Sequence, residues 1–204
     1  MKLTASHLTK EFNRRAIFSD ISFTLEIGDS LAITGKNGAG KSTLVKTLAG
    51  LLSPTRGAVE YLLNGKKTEV DALRDHIGMV SPYVMLYDEF TAMENLTLLS
   101  RIRSNNLPIE EQSKELLERF SLWNKRQELV RTFSSGMKQR LKFVFAVLHR
   151  PRLLFVDEPT SNLDAEGVRV VRGMIEKQKK TGMLIVATNS AQEAKWCKKR
   201  IHLG

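Results

Sequence analysis

At 204 residues with a formal charge of +10, the chain is long enough for one substantial core and too short for two full domains. Its 42% hydrophobic and 26% charged residues are ordinary for a globular protein, no apolar run of about eighteen residues signals a membrane span, and no apolar leader signals secretion. One cysteine, Cys197, excludes an internal disulfide and fits a reducing compartment; the positive charge fits a membrane surface, nucleic acid or phosphate ligands alike, although no arginine-rich tract or RNA-binding motif selects nucleic acid.

In chain order, residues 1–34 read as strands, a first around Leu3 to Leu8 and a second around Ser22 to Leu25. Between them Lys10-Glu11-Phe12-Asn13-Arg14-Arg15 reads as a polar turn carrying one aromatic. Ser30-Leu31-Ala32-Ile33-Thr34 is a short apolar strand that runs into Gly35-Lys36-Asn37-Gly38-Ala39-Gly40-Lys41-Ser42-Thr43. From Gly35 to Ser42 this fits the phosphate-loop pattern G-x-x-x-x-G-K-S/T. Leu44, Val45, Thr47, Leu48, Leu51 and Leu52 then recur at helical spacing, so the context is strand, glycine loop, helix, as the motif requires. The glycines let the backbone wrap so that successive N–H groups face phosphate oxygens, and the helix N-terminus adds partial positive charge at the same spot. Lys41 can reach the outer phosphates and the Ser42 hydroxyl can coordinate Mg²⁺. The stretch therefore predicts a nucleoside triphosphate site.

Residues 57–63 followed by Asn64-Gly65 read as a strand and hairpin turn, and Ile77-Gly78-Met79-Val80 as another short strand. From about residue 92 the pattern turns helical. Leu96, Leu98, Leu99 and Ile102 have helical spacing, and Pro108 opens a charged amphipathic helix with Leu116, Leu117 and Phe120 on its apolar face. A further helix over 135–149 is ended by Pro151. Residues 153–156 and 183–188 are wholly apolar strands with a helix between them, and such alternation implies a parallel sheet covered on both faces.

Asp157-Glu158 ends the first of those strands, where open α/β sheets bind ligands. Asp157 is placed to hold the Mg²⁺ hydration shell opposite Ser42, and Glu158 to polarise a water for attack on the terminal phosphate. Thr132-Phe133-Ser134-Ser135-Gly136-Met137-Lys138-Gln139-Arg140 puts hydroxyls and a glycine at a helix N-terminus. Ser134 there is either an ordinary N-cap or, with Gly136, part of a second anion site. His7, His76, His149 and His202 show no metal-ligand spacing, and Trp123 and Trp196 read as packing residues.

On these motifs the chain resembles the ATP-binding subunit of an ABC transporter, over nearly its whole length. The resemblance implies ATP on the 35–43 loop, Mg²⁺ held by Ser42 and Asp157, and Glu158 as the catalytic glutamate. It makes Ser161-Asn162-Leu163-Asp164 the D-loop, with Asp164 at the nucleotide, and the stretch from Ser134 to Arg140 the signature. Phe12 falls where the family places the aromatic that stacks on adenine. In that family the signature of one subunit closes on the nucleotide of the other, which implies a head-to-tail dimer, here a homodimer, around two ATP molecules. Three departures stand out. Phe133, Ser135 and Met137 replace members of the usual signature, Pro82 stands at the Q-loop glutamine, and Asn189 stands at the switch histidine. Loss of that glutamine amide and that imidazole predicts slow turnover. Asn189 has an alternative role as cap of a helix expected from Ala191 to Lys199.

The expectation is a single ATP-binding domain over 1–204 with an α/β P-loop NTPase fold. A mostly parallel sheet is flanked by helices, with an N-terminal antiparallel β subdomain and a helical insertion over about 92–132. The implied function is an ATPase at the cytoplasmic face of the cell membrane, peripheral to it, that drives a multi-span permease subunit. That partner's cytoplasmic helices would enter a groove near Pro82 to Glu94. The ending at Ile201-His202-Leu203-Gly204 predicts no C-terminal regulatory domain, and the minimal length resembles the haem-exporter subunit of cytochrome c maturation. Two other readings stay open: a non-transport ABC ATPase acting on nucleic acid, supported only by charge, and a regulatory module that holds ATP without hydrolysing it.

Overall fold

Two sheets divide the work of the chain, one antiparallel and half-exposed, the other parallel and buried. The computed structural model describes residues 1–102 and 109–204. The antiparallel sheet contains β1 (Lys2–Phe12), β2 (Arg15–Glu26), β4 (Arg56–Leu63) and β5 (Lys66–Thr68), in the order β2-β1-β4-β5. The parallel sheet contains β3 (Ser30–Gly35), β6 (Ile77–Val80), β7 (Leu153–Asp157), β8 (Met183–Thr188) and β9 (Lys199–Leu203), in the order β6-β7-β8-β3-β9. Every residue of β7 and β8 is buried. That is why these two read as unbroken apolar runs, whereas β1 alternates: Leu3 and Ala5 point inward and Thr4 and Ser6 do not.

Register does the positioning. Thr34 pairs with Thr188, and Asp157 with Ala187, so β3, β7 and β8 end along one edge of the sheet. The 35–43 loop, Glu158 and Asn189 all leave from that edge. Helices cover the faces: α1 (Lys41–Leu48), α2 (Ala92–Ile102), α3 (Ile109–Arg119), α4 (Ser135–Val147), α5 (Ala165–Thr181) and the one-turn α6 (Ala191–Ala194). Leu96 of α2, Phe120 just past α3 and Phe143 of α4 are fully buried in one cluster, with the two phenyl rings stacked at 6.1 Å between centroids. Trp123 and Trp196 pack against the same cluster. Pro108, expected to open the second insertion helix, lies outside the described residues.

Three expectations need correction, and one strand was not anticipated. The first hairpin is longer than its apolar pattern: Lys10, Glu11 and Phe12 pair with Phe18, Ala16 and Arg15. Only Asn13 and Arg14 turn, both at positive φ (48° and 63°), which matches the twist of a two-residue hairpin. Helix α1 stops at Leu48 and does not reach Leu51 or Leu52. The Gly50 and Leu51 N–H groups donate back to the Thr47 and Lys46 carbonyls, with Gly50 at φ 73°, which is a Schellman ending. The helix expected from Ala191 to Lys199 is a single turn capped by Ser190. The chain then forms β9, an edge strand whose Lys199-Arg200-Ile201-His202-Leu203 is too polar to show as apolar alternation.

These backbone facts set the sign of two glycine substitutions. A Cβ at Gly50 would meet Val70 Cγ1 at 2.5 Å in a left-handed conformation, so Gly50→Ala should cost about 1–2 kcal/mol. Gly173 sits on the exposed face of α5 with nothing within 4 Å of a Cβ. Gly173→Ala should stabilise by about 0.5–1 kcal/mol. Urea unfolding midpoints that move in opposite directions from wild type would bear this out.

Candidate functional site

The 35–43 loop owes its shape to close packing at its ends. Gly40 caps α1 at φ 92°, and a Cβ there would lie 2.4 Å from Ile17 Cγ2 of β2. Any side chain would push the loop off the antiparallel sheet. With glycine as the cap, no side chain satisfies the first N–H groups of α1, and no acidic residue sits in its first turn. The helix therefore presents open donors and its positive pole to the loop. Lys41 is buried, and its Nζ donates to the Gly35 and Lys36 carbonyls, each at 2.9 Å. The ammonium thus braces the loop and stays on its inner side, where it can exchange carbonyls for phosphate oxygens.

Asp157 ends β7 at 2% exposure. Burial pushes its carboxyl above the usual carboxylate range; a hydrogen bond from Ser42 opposes this, Glu158 adds to it, and Lys41 and Lys46 oppose it. A buried carboxylate beside a serine hydroxyl is a pair of hard oxygen donors still short of positive charge, and such a pair suits Mg²⁺. Glu158 follows at the surface with φ 56°, its N–H on the Ala187 carbonyl at 2.9 Å. Left-handed backbone at a glutamate carries a strain of about 1–2 kcal/mol, and it turns the side chain outward beside Asp157.

Asn189 leaves β8 on the other side of the loop, and its Nδ2 donates to Asn37 Oδ1 at 3.0 Å. The cap of α6 is Ser190, whose hydroxyl accepts from the Glu193 N–H, so the capping alternative for Asn189 is ruled out. Phe12 is the last residue of β1, 46% exposed, with the Lys10 ammonium 4.8 Å from its ring centroid. The ring is free to stack.

Ser134 does cap α4: its hydroxyl accepts from the Met137 N–H at 3.2 Å. A Cβ on Gly136 would lie 2.8 Å from the Asn162 carbonyl, so the signature turn packs directly on the D-loop. Asp164 caps α5 through the Gly167 N–H at 2.8 Å and pairs with Arg140 at 2.6 Å. Those two partners, the N–H first, hold its carboxyl below the usual range. The contacts of Ser134, Gly136 and Asp164 run to α4, α5 and each other, and not to the 35–43 loop of their own chain. Asp157, Glu158, Asn189 and the loop are assembled together; this second group stands apart.

Three residues that sequence reasoning passed over complete the surroundings. Gln139 donates to the Glu158 carbonyl at 3.5 Å, and Lys142 donates to the Ser81 and Pro82 carbonyls at 3.3 and 3.4 Å. Glu193 is buried and accepts from the hydroxyls of Thr160 and Thr188. Ser190-Ala191-Gln192-Glu193 has the Ser-x-x-Glu spacing of a capping box, which was the available signal for Glu193. Nothing in the pattern marks Gln139 or Lys142.

Comparison with known proteins agrees with this geometry. The family model described as ABC transporter matches residues 18–161. The lantibiotic transport ATP-binding protein SrtF of Streptococcus pyogenes is 35% identical over 92% of this chain and 79% of its own length. A solved ATP-binding subunit of an ABC transporter superposes with a TM-score of 0.87 at 28% identity, over 100% of this chain and 86% of that one. The ATP-binding cassette MJ0796, solved as a dimer in a post-hydrolysis state with ADP and Pi, shares the fold with a TM-score of 0.86 at 23% identity, over 98% of this chain and 94% of its own.

The burial of Asp157 makes a prediction that needs no nucleotide. Its folded carboxyl titrates above the unfolded one, so the fold holds the proton more tightly. Stability must fall as pH rises from the unfolded value of 3.8 through the raised folded value, and the deficit persists at neutral pH. Asp157→Asn should therefore melt higher than wild type at pH 7 without Mg²⁺. A lower melting temperature would show that the carboxylate is already well paired.

Proposed function

The chain belongs to the ABC transporter family of ATP-binding domains, and from that premise we propose that it binds and hydrolyses ATP in a head-to-tail dimer to drive transport through a separate membrane subunit. The observation that carries this reading is the convergence of Lys41, Asp157, Glu158 and Asn189 on one sheet edge around a loop with open helix N-terminal donors. Adenine stacks on Phe12. The phosphates lie on the 35–43 loop, against the N–H groups of Gly38, Ala39, Gly40, Lys41, Ser42 and Thr43. Ser42 and Asp157 are the residues that would hold Mg²⁺, which would supply positive charge against the outer phosphate oxygens. Glu158 takes the proton of the attacking water, and the Asn189 amide, released from Asn37, donates to the terminal phosphate.

Ser134 and Gly136 point away from their own loop and are supplied to the partner's nucleotide, with Asp164 ordering the turn beside them. Two such half-sites complete each other under C₂ symmetry, so a homodimer is the simplest assembly, and the MJ0796 dimer is its precedent. Residues 1–204 then form one ATP-binding domain, with 92–132 as its helical insertion. Among the described residues no helix is long and apolar enough to cross a membrane. Exposed Tyr83, Met85, Tyr87 and Phe90, at 39–80% exposure, lie within the 82–94 segment and support a surface there for a membrane partner, in keeping with a peripheral position at the cytoplasmic face of the cell membrane. The name of SrtF, a lantibiotic transport protein, supports transport as the coupled process. The haem-exporter assignment finds no support in these relatives and is set aside.

Two outcomes test the reading. Glu158→Gln should stall hydrolysis while preserving shape, so saturating ATP and Mg²⁺ should convert it to a dimer by light scattering, and a Glu158→Gln monomer under those conditions would count against the sandwich. Wild type should hydrolyse ATP slowly. Losing one transition-state donor typically costs about 10²–10³ in rate, so Asn189→Ala should fall well below wild type and Asn189→His should rise above it. Equal steady-state rates for all three would remove Asn189 from the mechanism.

A further inference from the structure

We infer that the buried carboxylate of Glu193 is a positioning residue that sets Glu158 and Asn189 relative to each other. The inference rests on the hydrolytic roles proposed for those two residues. Glu193 is 7% exposed and lies in the single turn of α6. One of its carboxylate oxygens accepts from Thr160 Oγ1 and the other from Thr188 Oγ1. Thr160 is two residues beyond Glu158, joined through the buried Pro159, and Thr188 is the residue immediately before Asn189. A single carboxylate therefore clamps the chain emerging from β7 to the chain emerging from β8, next to both candidate catalytic groups.

The surrounding bonds show why the clamp spans two chains and does not close on its own helix. In a Ser-x-x-Glu box the glutamate would reach back to the serine N–H. Here the Ser190 N–H is already taken by Thr188 Oγ1 at 2.8 Å. The Glu193 side chain is thus released from capping and turned inward, while its own N–H is held by Ser190 Oγ at 3.4 Å. Thr188 Oγ1 accepts from Ser190 and donates to Glu193, so the hydroxyl direction is fixed. Glu158 needs such support. It sits in a left-handed conformation at the surface, held by its N–H on Ala187 and by a long 3.5 Å contact from Gln139 to its carbonyl. The first of these already ties Glu158 through the backbone to β8 two residues before Asn189. The Glu193 bridge adds a side-chain tie further out, from Thr160 beyond Glu158 to Thr188 next to Asn189, and both side chains have to address the same phosphoryl group.

The experiment combines kinetics with amide hydrogen exchange on Glu193→Ala, Glu193→Gln, Thr160→Val and Thr188→Val. A displacement of about 1 Å can cost on the order of 10²-fold in rate. Glu193→Ala should accordingly lower kcat by roughly 10- to 100-fold, with KM for ATP changed by less than about twofold. Glu193→Gln, which keeps one acceptor, should lie between Glu193→Ala and wild type. In a Glu158→Gln background Glu193→Ala should add no further loss, because it acts through the glutamate. In nucleotide-free protein the amides of Glu158, Thr160 and Asn189 should exchange faster in Glu193→Ala and in each Thr→Val variant, while those of the 35–41 loop stay as in wild type. An unchanged kcat, an additive loss in the double variant, or exchange that rises uniformly across the chain would overturn the inference. If wild type shows no Glu158-dependent hydrolysis, the proposed function fails, and the exchange pattern still decides whether Glu193 clamps the two chains.

Discussion

A carboxylate at the end of a fully buried strand must find a donor or a cation, and Asp157 is where this fold meets that demand. β7 is covered on both faces, so its last side chain cannot reach bulk water. The nearest relief is the hydroxyl of Ser42, carried by the first turn of α1. That single contact ties the phosphate loop to the neighbouring strand system. The β3–β8–β7 register sets this up by placing Asp157 level with Ile33, two residues before β3 ends at Gly35. Replacing the hydroxyl would leave only the Lys41 and Lys46 charges to offset the burial of this carboxylate, and a buried group that loses its hydrogen-bond partner typically costs about 1–3 kcal/mol. The site is therefore short of positive charge, which is the condition the proposed Mg²⁺ would relieve.

Helix α4 spreads that constraint outward. Along one stretch of it Gln139 touches the Glu158 carbonyl, Lys142 touches the Ser81 and Pro82 carbonyls, and Lys138 pairs with Asp88 at 2.7 Å. The glutamine expected at position 82 is a proline here. The backbone oxygen at that position is nonetheless held by a cation, Lys142, whose ammonium is held below its usual range by burial and by Lys138. Through these contacts α4 touches both the exposed 83–90 surface and the backbone of Glu158.

How much of this was legible in advance depended on which physical signal each element carries. The phosphate loop, β7 and β8 were readable because their chemistry is local: glycines with a lysine, or an unbroken apolar run ending in two acids. The antiparallel ribbon was underestimated because Lys10, Glu11 and Arg15 face water, and a solvated hairpin has no alternation to read. β9 was not anticipated, and the helix expected from Ala191 to Lys199 overlaps it only at Lys199, because an edge strand buries only Ile201 and Leu203 to any depth. The contacts of Gln139 and Lys142 could not be assigned from sequence, since they reach residues 19 and 61 positions away, and the bond of Glu193 to Thr160, 33 positions away, is equally hidden although its Ser-x-x-Glu spacing is visible.

Asn189 shows where such reading is most exposed to error, and the structure supplies the reason. Asparagine before a helix is a preferred cap, and by residue type alone the capping role was credible. The following residue, Ser190, fills that role, which leaves the Asn189 amide to bond Asn37 of the phosphate loop. A neutral amide pair at the surface is worth about 0.5–1.5 kcal/mol net. A charged phosphate oxygen is a stronger acceptor than an amide carbonyl, with charge-assisted bonds roughly twice as strong as neutral ones. The exchange of Asn37 for phosphate is therefore downhill, and it frees Asn37 in the same step. An imidazole at this position could carry charge to the phosphate; an amide can only reorient towards it. In the function proposed here, asparagine at this position would keep a hydrogen-bond donor beside the phosphate loop without a charge, and Glu158 would carry more of the hydrolysis.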